Sequence, residues 1–321
     1  MPSSNNEIII GTRGSKLALC QANWVKDRLR EKFPEQDCRL RVIKTRGDKI
    51  IDTPLAKIGG KGLFVKEIEE ALLNREIDLA VHSMKDMPSE IPEGLSVGAV
   101  PRRESPCDAL ISAGHTRFSD LPPGVRVGTS SLRRASQLCN ARPDIVIVPL
   151  RGNVDTRLSK LEQRQMGAII LAAAGLTRLG LADRITEQLE QEVVLPAVAQ
   201  GALCLEIRTN DEIVRPLVET LNHADSRTAV TAERAFLHRL EGGCQVPIAG
   251  LATVDGDTLS MRGLVADLSG ATIIRDSVTG PVEKAADLGI NLADKLLAAG
   301  AGEILNALME AGDNTADPDI S

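Results

Sequence analysis

The sequence predicts an α/β protein: two similar α/β domains, then a smaller α+β C-terminal domain with a three-stranded antiparallel sheet. Three observations carry this. Ile8-Ile9-Ile10 runs into Gly11-Thr12-Arg13-Gly14-Ser15, and Leu17, Ala18, Ala22, Val25 and Leu29 then recur at helical spacing. The same order of strand, Gly-Thr, Ser and basic helix start returns at Val125-Arg126-Val127, Gly128-Thr129-Ser130-Ser131 and Leu132-Arg133-Arg134. Near the C-terminus three short apolar segments are separated by Asp255-Gly256-Asp257 and Asp267-Leu268-Ser269-Gly270, as in a meander. At 321 residues the chain is also too long for one ordinary core.

Between these landmarks the elements follow from periodicity. Leu40 to Ile43 reads as a second strand, Glu67 to Leu73 as a helix, and Ile77 to Val81 as a third strand ending at His82-Ser83-Met84-Lys85-Asp86. Prolines at 88–92 and 101–106 interrupt the pattern and suit a crossing between domains. Ile145 to Val148 and Ala168 to Leu171 are strands of the second unit, and Leu195 to Gly201 has the character of a return crossing. A third unit opens near Asp225-Ser226, an N-cap signal, on a helix that Gly242-Gly243 would end. One helix is expected from about Val282 to Leu308, with a loose tail from Asp313.

Composition removes several function classes. The longest apolar run, Ala168 to Leu176, is far short of a membrane span, and the first residues lack the basic start of a signal peptide, so a cytoplasmic protein is expected. The six cysteines form no CxxC pair and the four histidines are dispersed, which gives no reason to expect a metal. With no tyrosine, one tryptophan and four phenylalanines there is little to stack on bases, so nucleic acid is not an expected partner. From Asp255 onward the chain carries twelve acids and four bases, a net of −8, which leaves +2 for the rest of a chain whose total is −6. A mildly basic major part can bind anions where its cations converge.

Arginines and lysines stand at turns beside glycine and serine rather than on helix faces: Arg13, Lys57, Lys61, Lys85, Arg133, Arg134, Arg151, Arg157 and Arg178. In open α/β sheets ligands bind at the carboxyl ends of strands, where such turns lie. Helix N-termini there favour anions, and arginine's planar fork matches a carboxylate. The set therefore points to a ligand with several carboxylates or phosphates. The stretch Lys57-Ile58-Gly59-Gly60-Lys61-Gly62 is not a P-loop, because Leu55 and Gly62 stand where glycine and a hydroxyl residue are needed. Asp86, beside a lysine at the end of a buried strand, can shuttle a proton or stabilise a cation; it can equally be an ordinary turn aspartate. Cys244 follows two glycines and is accessible as a core cysteine is not, whereas Cys20, Cys139 and Cys204 sit among leucines and alanines as small core residues.

These stretches, together with Gly59-Gly60-Lys61-Gly62-Leu63-Phe64, Arg151-Gly152-Asn153-Val154 and Gly242-Gly243-Cys244-Gln245-Val246-Pro247, resemble the porphobilinogen deaminases, in the family's order and over nearly the whole chain. The resemblance implies two periplasmic-binding-protein-like domains with the cleft between them. The first is discontinuous (1–101 and 198–221), the second spans 102–197, and the third, 222–321, presents the cysteine. It implies a dipyrromethane cofactor held by a thioether to Cys244. Asp86 would assist loss of ammonia from porphobilinogen and stabilise the positive species that follow. Arg13, Ser15, Lys57, Lys61, Ser83, Lys85, Ser131, Arg133, Arg134, Arg151, Arg157 and Arg178 would hold acetate and propionate groups, with Thr129, Phe64 and Gln200 further along the cleft. Four porphobilinogens would be joined head to tail on the cofactor, and hydrolysis would free hydroxymethylbilane. The partners would be porphobilinogen and the growing linear oligopyrrole, with no nucleic acid or membrane, and the chain a monomer.

Two other readings compete. A non-catalytic two-lobed binding protein for a polycarboxylate or phosphate explains the paired turns, but gives no role to Cys244 or Asp86. A cysteine acyltransferase would need a histidine base, and only His238 lies near Cys244 in sequence.

Overall fold

The computed structural model describes residues 7–49, 62–163, 165–240 and 246–313. Strand β1 (Glu7–Thr12) feeds helix α1 (Lys16–Lys32) through Ser15, whose backbone is extended and whose hydroxyl accepts the Ala18 N–H at 3.2 Å. That cap satisfies one of the donors a first turn leaves over. The inner face of α1, Ala22, Val25 and Leu29, is buried with Ile8 and Ile10 of β1. Each large apolar side chain so buried contributes ~1.5–3 kcal/mol, and this fixes the strand–helix unit.

In chain order there follow β2 (Asp37–Val42), α2 (Lys66–Leu73), β3 (Leu79–Ser83), β4 (Leu95–Ala99), β5 (Asp108–Ser112), β6 (Arg126–Gly128) and α3 (Leu132–Ala141). Then come β7 (Val146–Val148), α4 (Val154–Glu162), β8 (Ala168–Ala172), α5 (Ala173–Arg178), β9 (Glu187–Gln188), β10 (Leu203–Arg208) and α6 (Val214–Glu219). The first sheet has the order β2-β1-β3-β10-β4 and the second β7-β6-β8-β5-β9. In each, the first three strands are parallel and the fourth is antiparallel to both of its neighbours. The two sheets thus share one plan. The antiparallel strand of each is supplied by chain arriving from the other sheet: β5 after the crossing at 100–107, β10 after the return at 189–202. This is the α/β pair expected from the repeated Gly-Thr turns.

Those turns match in detail. A Cβ on Gly11 would fall 2.3 Å from Ile77 Cδ1, and one on Gly128 2.3 Å from Met166 Sδ. The threonines that follow, Thr12 and Thr129, are buried. Glycine lets a neighbouring side chain press on the strand end, and threonine can satisfy its hydroxyl on local backbone.

The third unit comprises α7 (Ala224–Arg239), the antiparallel meander β11 (Ile248–Asp255), β12 (Thr258–Ala266) and β13 (Ile273–Pro281), then α8 (Ala285–Leu296) and α9 (Gly302–Asp313). Phe236, fully buried, shares a core with Met261, Leu292 and Leu296. Two expectations need correction here. The single helix over 282–308 is broken, because Gly300 takes φ 101° in the wide turn Leu297–Ala301, a conformation glycine enters at little cost. The N-cap of α7 is His223, whose Nδ1 accepts the Ser226 N–H at 3.3 Å, so Asp225 and Ser226 lie inside the first turn. Helix α7 ends at Arg239; Gly242-Gly243 lie outside the described residues.

Glu233, on α7 and fully buried, ties the two crossings to the third sheet. Its carboxylate accepts from Arg103 Nη1 and Nη2 at 2.6 and 3.1 Å, from the Ala199 N–H at 2.5 Å, and from the Ala252 N–H at 2.8 Å. Arg103 lies on the outgoing crossing, Ala199 on the return, and Ala252 on β11. Ala199 takes φ 59°, a left-handed conformation costly for a residue with a Cβ, and Glu233 holds it there.

Candidate active site

The strand ends of the first two sheets bring a set of charges together. At its centre is Asp108, the first residue of β5 and fully buried. Its Oδ2 accepts from Arg133 Nη1 at 2.7 Å, and its Oδ1 from Arg134 Nε at 2.8 Å and Gln200 Nε2 at 3.0 Å. Arg133 also donates to the Leu195 carbonyl at 2.7 Å and Arg134 to that of Ile170 at 3.1 Å. Both arginines are 5–6% exposed. Burial works against the Asp108 carboxylate, but the two guanidiniums outweigh it and hold the group well below the usual carboxylate range.

Gln200 links this cluster to the first sheet, since its Oε1 accepts from Lys85 Nζ at 3.3 Å. Lys85 and Asp86 lie in the 3₁₀ turn Met84–Asp86 that closes β3, Lys85 half-buried and Asp86 exposed. Burial and then the charge of Arg134 lower Lys85 to about 8, against the smaller opposing pull of Asp86 and Asp108. Arg157, on α4, is lowered to about 10 by burial and by Arg134, again offset in part by Asp86, with Arg151 adding further repulsion. The turn of the first sheet and the arginines of the second therefore form one electrostatic unit. Its members repel one another, so an incoming carboxylate is worth more here than on open surface.

Other expected residues stand apart. Arg13 donates to Asp48 Oδ1 from Nε at 3.1 Å and Nη2 at 2.5 Å, and its guanidinium carbon lies 4.2 Å from the centroid of the Phe64 ring. Burial would raise Asp48, but Arg13 and Thr45 bind it and hold it below its ordinary value. Arg178, at the end of α5, donates to the Gly201 carbonyl at 2.7 Å, and its own carbonyl accepts from Cys20 Sγ. Ser15 and Ser131 are N-caps of α1 and α3. Ser83 exchanges hydrogen bonds with Gln21, and Thr129 Oγ1 accepts the Ser131 N–H at 3.2 Å. Lys57, Lys61 and Cys244 lie outside the described residues.

Several of the basic residues do not sit where the sequence suggested. Arg133, Arg134, Arg157 and Arg178 are on helices, not in turns, and the first two are buried. The short helix that begins at the end of β6 puts Arg133 and Arg134 of its first turn inward, and periodicity over so few residues cannot show it. Cys204 is buried as expected, while Cys20 and Cys139 are only half-buried. His238 is exposed, its Nδ1 3.9 Å from Glu90. Asp108 and Asp48 are additions that the structure makes to the expected set. For Asp108 the signal was there: an acid heading the apolar strand Asp108-Ala109-Leu110-Ile111 has to be paired. Among the described residues no group of three or more His, Cys, Asp or Glu side chains could hold a metal, and no helix is long and apolar enough to cross a membrane.

Paired α/β sheets with cations gathered at their strand ends define a class: a two-sheet protein with a cationic junction chemically suited to anionic groups. Its kin are specific. The family model described as porphobilinogen deaminase, dipyromethane cofactor binding domain, matches residues 8–216, and that of the porphobilinogen deaminase C-terminal domain matches 227–298. The porphobilinogen deaminase of Geobacter metallireducens is 55% identical over 299 residues, 93% of this chain and 94% of that protein. That of Syntrophotalea carbinolica is 55% identical over 305 residues, 95% and 97% of the two chains. Among solved structures, the probable amino-acid ABC transporter extracellular-binding protein ytmK of Bacillus subtilis is 10% identical. It covers 68% of this chain and 90% of that one at a TM-score of 0.40, too loose to add to the topology itself. The chain belongs to the porphobilinogen deaminase family.

Proposed function

We propose that Asp86 is the catalytic carboxylate of this chain, that Cys244 carries its cofactor, and that the cations around Asp108 hold the carboxylates of cofactor and substrate. The activity is the family's: a transferase that condenses porphobilinogen, with loss of ammonia, toward hydroxymethylbilane in tetrapyrrole biosynthesis. The observation that carries the assignment is the exposed Asp86 carboxylate beside Lys85 and within electrostatic reach of Arg157. A carboxylate so placed lies among cations that also draw in the substrate's acid groups.

The donor set suits a dipyrromethane, whose two pyrroles carry four carboxylates: Lys85, Arg133, Arg134, Arg151 and Arg157 are cations, and Asp108 offsets only one of them. That group supplies the electron-rich carbon on which the chain grows. Of this chain's residues, Arg151, Arg157 and Lys85 bind and orient carboxylates, each charged hydrogen bond contributing ~1.5–3 kcal/mol. Arg133 and Arg134, with most donors already engaged, set the local field and offer what donors remain. Arg13, Ser15, Ser83, Ser131 and Arg178, with Lys57 and Lys61, extend the carboxylate-binding set, and Thr129, Phe64 and Gln200 line the cleft further on. Asp86 accepts a hydrogen bond from each pyrrole N–H in turn and stabilises positive charge as ammonia leaves, after which water releases the product.

The same reading keeps the division into 1–101 with 198–221, 102–197 and 222–321, and has the chain act in the cytoplasm as a monomer. Intact mass under denaturing conditions tests it. The wild type should exceed its sequence mass by two condensed pyrrole units and Cys244→Ser should not; an unmodified wild type that neither gains mass nor releases ammonia with porphobilinogen would end the assignment.

Lys85 gives a pH dependence. A bound carboxylate favours the charged ammonium, so binding is strong while Lys85 is protonated and weakens as pH rises through about 8. The kcat/KM profile should therefore fall on its alkaline side near pH 8. In Lys85→Arg, whose guanidinium stays charged, that limb should move to higher pH. An unmoved limb would assign it to another group.

A further inference from the structure

The turn that carries Asp86 is held from the third unit. Met84 and Met87, on either side of Lys85-Asp86, are 1% and 4% exposed and belong to the core that α7 shares with the meander, together with Val230 and Phe236. Arg234, also on α7, donates from Nη2 to the carbonyls of Pro88 at 2.8 Å and Ser89 at 2.9 Å. Its neighbour Glu233 binds the Ala199 N–H, one residue before the Gln200 that receives Lys85. In sequence, Cys244 follows the last residue of this helix, Arg239, by five positions.

We infer that Arg234 is a positioning residue for the reaction. By clamping the two carbonyls that follow the Asp86 turn, it fixes the Asp86 carboxylate relative to α7. The reasoning is geometric. A turn packed by two flexible methionines keeps its depth but can slide, methionine being the most adaptable of core side chains. Two hydrogen bonds from one planar guanidinium to successive carbonyls remove that freedom. The residue touches no reacting group, so its effect has to pass through Asp86. The inference rests on the assignment of Asp86 made above, and adds the residue that ties its turn to the third unit.

The test compares Arg234→Met, which keeps the apolar stem, and Arg234→Lys, which keeps the charge, in wild-type and Asp86→Glu backgrounds. In the wild-type background Arg234→Met should load its cofactor normally by intact mass and keep KM within about twofold. It should lose about ten- to a hundredfold in kcat, the scale of a misplacement on the order of 1 Å. Arg234→Lys should recover part of that loss. In the Asp86→Glu background, where the carboxylate is already displaced, Arg234→Met should cost no more than about twofold further. Wild-type kcat in Arg234→Met, or the same fold-loss in both backgrounds, would overturn the inference. If Arg234→Met fails to fold, Arg234→Lys decides on the same two criteria. Full activity in Asp86→Glu itself would instead sink the role of Asp86, an outcome separable from failure of Arg234.

Discussion

Asp86→Asn is expected to lose roughly 10²–10⁴-fold in kcat, the usual contribution of a positioned acid or base, while thermal stability changes by no more than ~0.5 kcal/mol. The two halves of the expectation have one cause. Asp86 is exposed in a 3₁₀ turn whose packing is done by Met84 and Met87, so the fold does not depend on its carboxylate. The site does. Asp86 is a negative charge acting on both Lys85 and Arg157, and it raises the pKa of each against burial and against Arg134. Asparagine keeps the shape and removes the charge. It can neither stabilise a cation nor offset its neighbours, so Lys85 should fall below about 8 and the alkaline limb of kcat/KM should move to lower pH along with the loss of turnover. Steady-state kinetics over pH 6–9 on cofactor-loaded protein read both. Near-normal kcat would remove Asp86 from the chemistry whatever the limb did.

The architecture was legible because it is written in short-range signals. A β-branched run, a glycine under pressure from a neighbouring side chain, and a serine cap recur at Gly11–Ser15 and Gly128–Ser131, and each acts within a few residues. The charge pairs that shape the site were not legible, because they join positions far apart in sequence. Asp108 meets Arg133 and Arg134 across 25 and 26 residues and Gln200 across 92. Arg234 reaches Pro88 across 146. Composition and spacing carry no record of such pairings; they arise when the two crossings bring β5 and β10 back into the opposite sheets. The run of arginines at 133 and 134 was readable as important, but its burial was not, since a ten-residue helix can turn either face inward. Likewise the break at Gly300 is invisible in an apolar pattern that continues on both sides of it.

Asp108→Asn carries the largest expected cost to stability, about 3–5 kcal/mol at neutral pH, as when one partner of a buried ion pair is removed. The carboxylate is fully buried and lies between two buried guanidiniums. Without its charge Arg133 and Arg134 repel each other with nothing between them, and an amide cannot take up the donors of both as well as that of Gln200. The sign with pH follows from the depressed carboxyl. Its stabilisation is present in full above the unfolded value near 4 and is lost as pH falls toward the folded value below it. The gap in unfolding free energy between wild type and Asp108→Asn should therefore be widest near pH 7 and narrow steadily below about pH 4. Denaturant unfolding at pH 7 and at pH 3 measures it; a constant gap would mean that Asp108 acts through shape rather than charge. A functional signature accompanies the structural one. Asp108 supports the charge on Lys85, so its loss should weaken carboxylate binding there. The two cations left uncompensated should at the same time gain from any polyanion that reaches them. Cofactor-loaded Asp108→Asn should then be stabilised more, relative to its own apo form, than the wild type is relative to its own. A merely space-filling residue would produce no such difference.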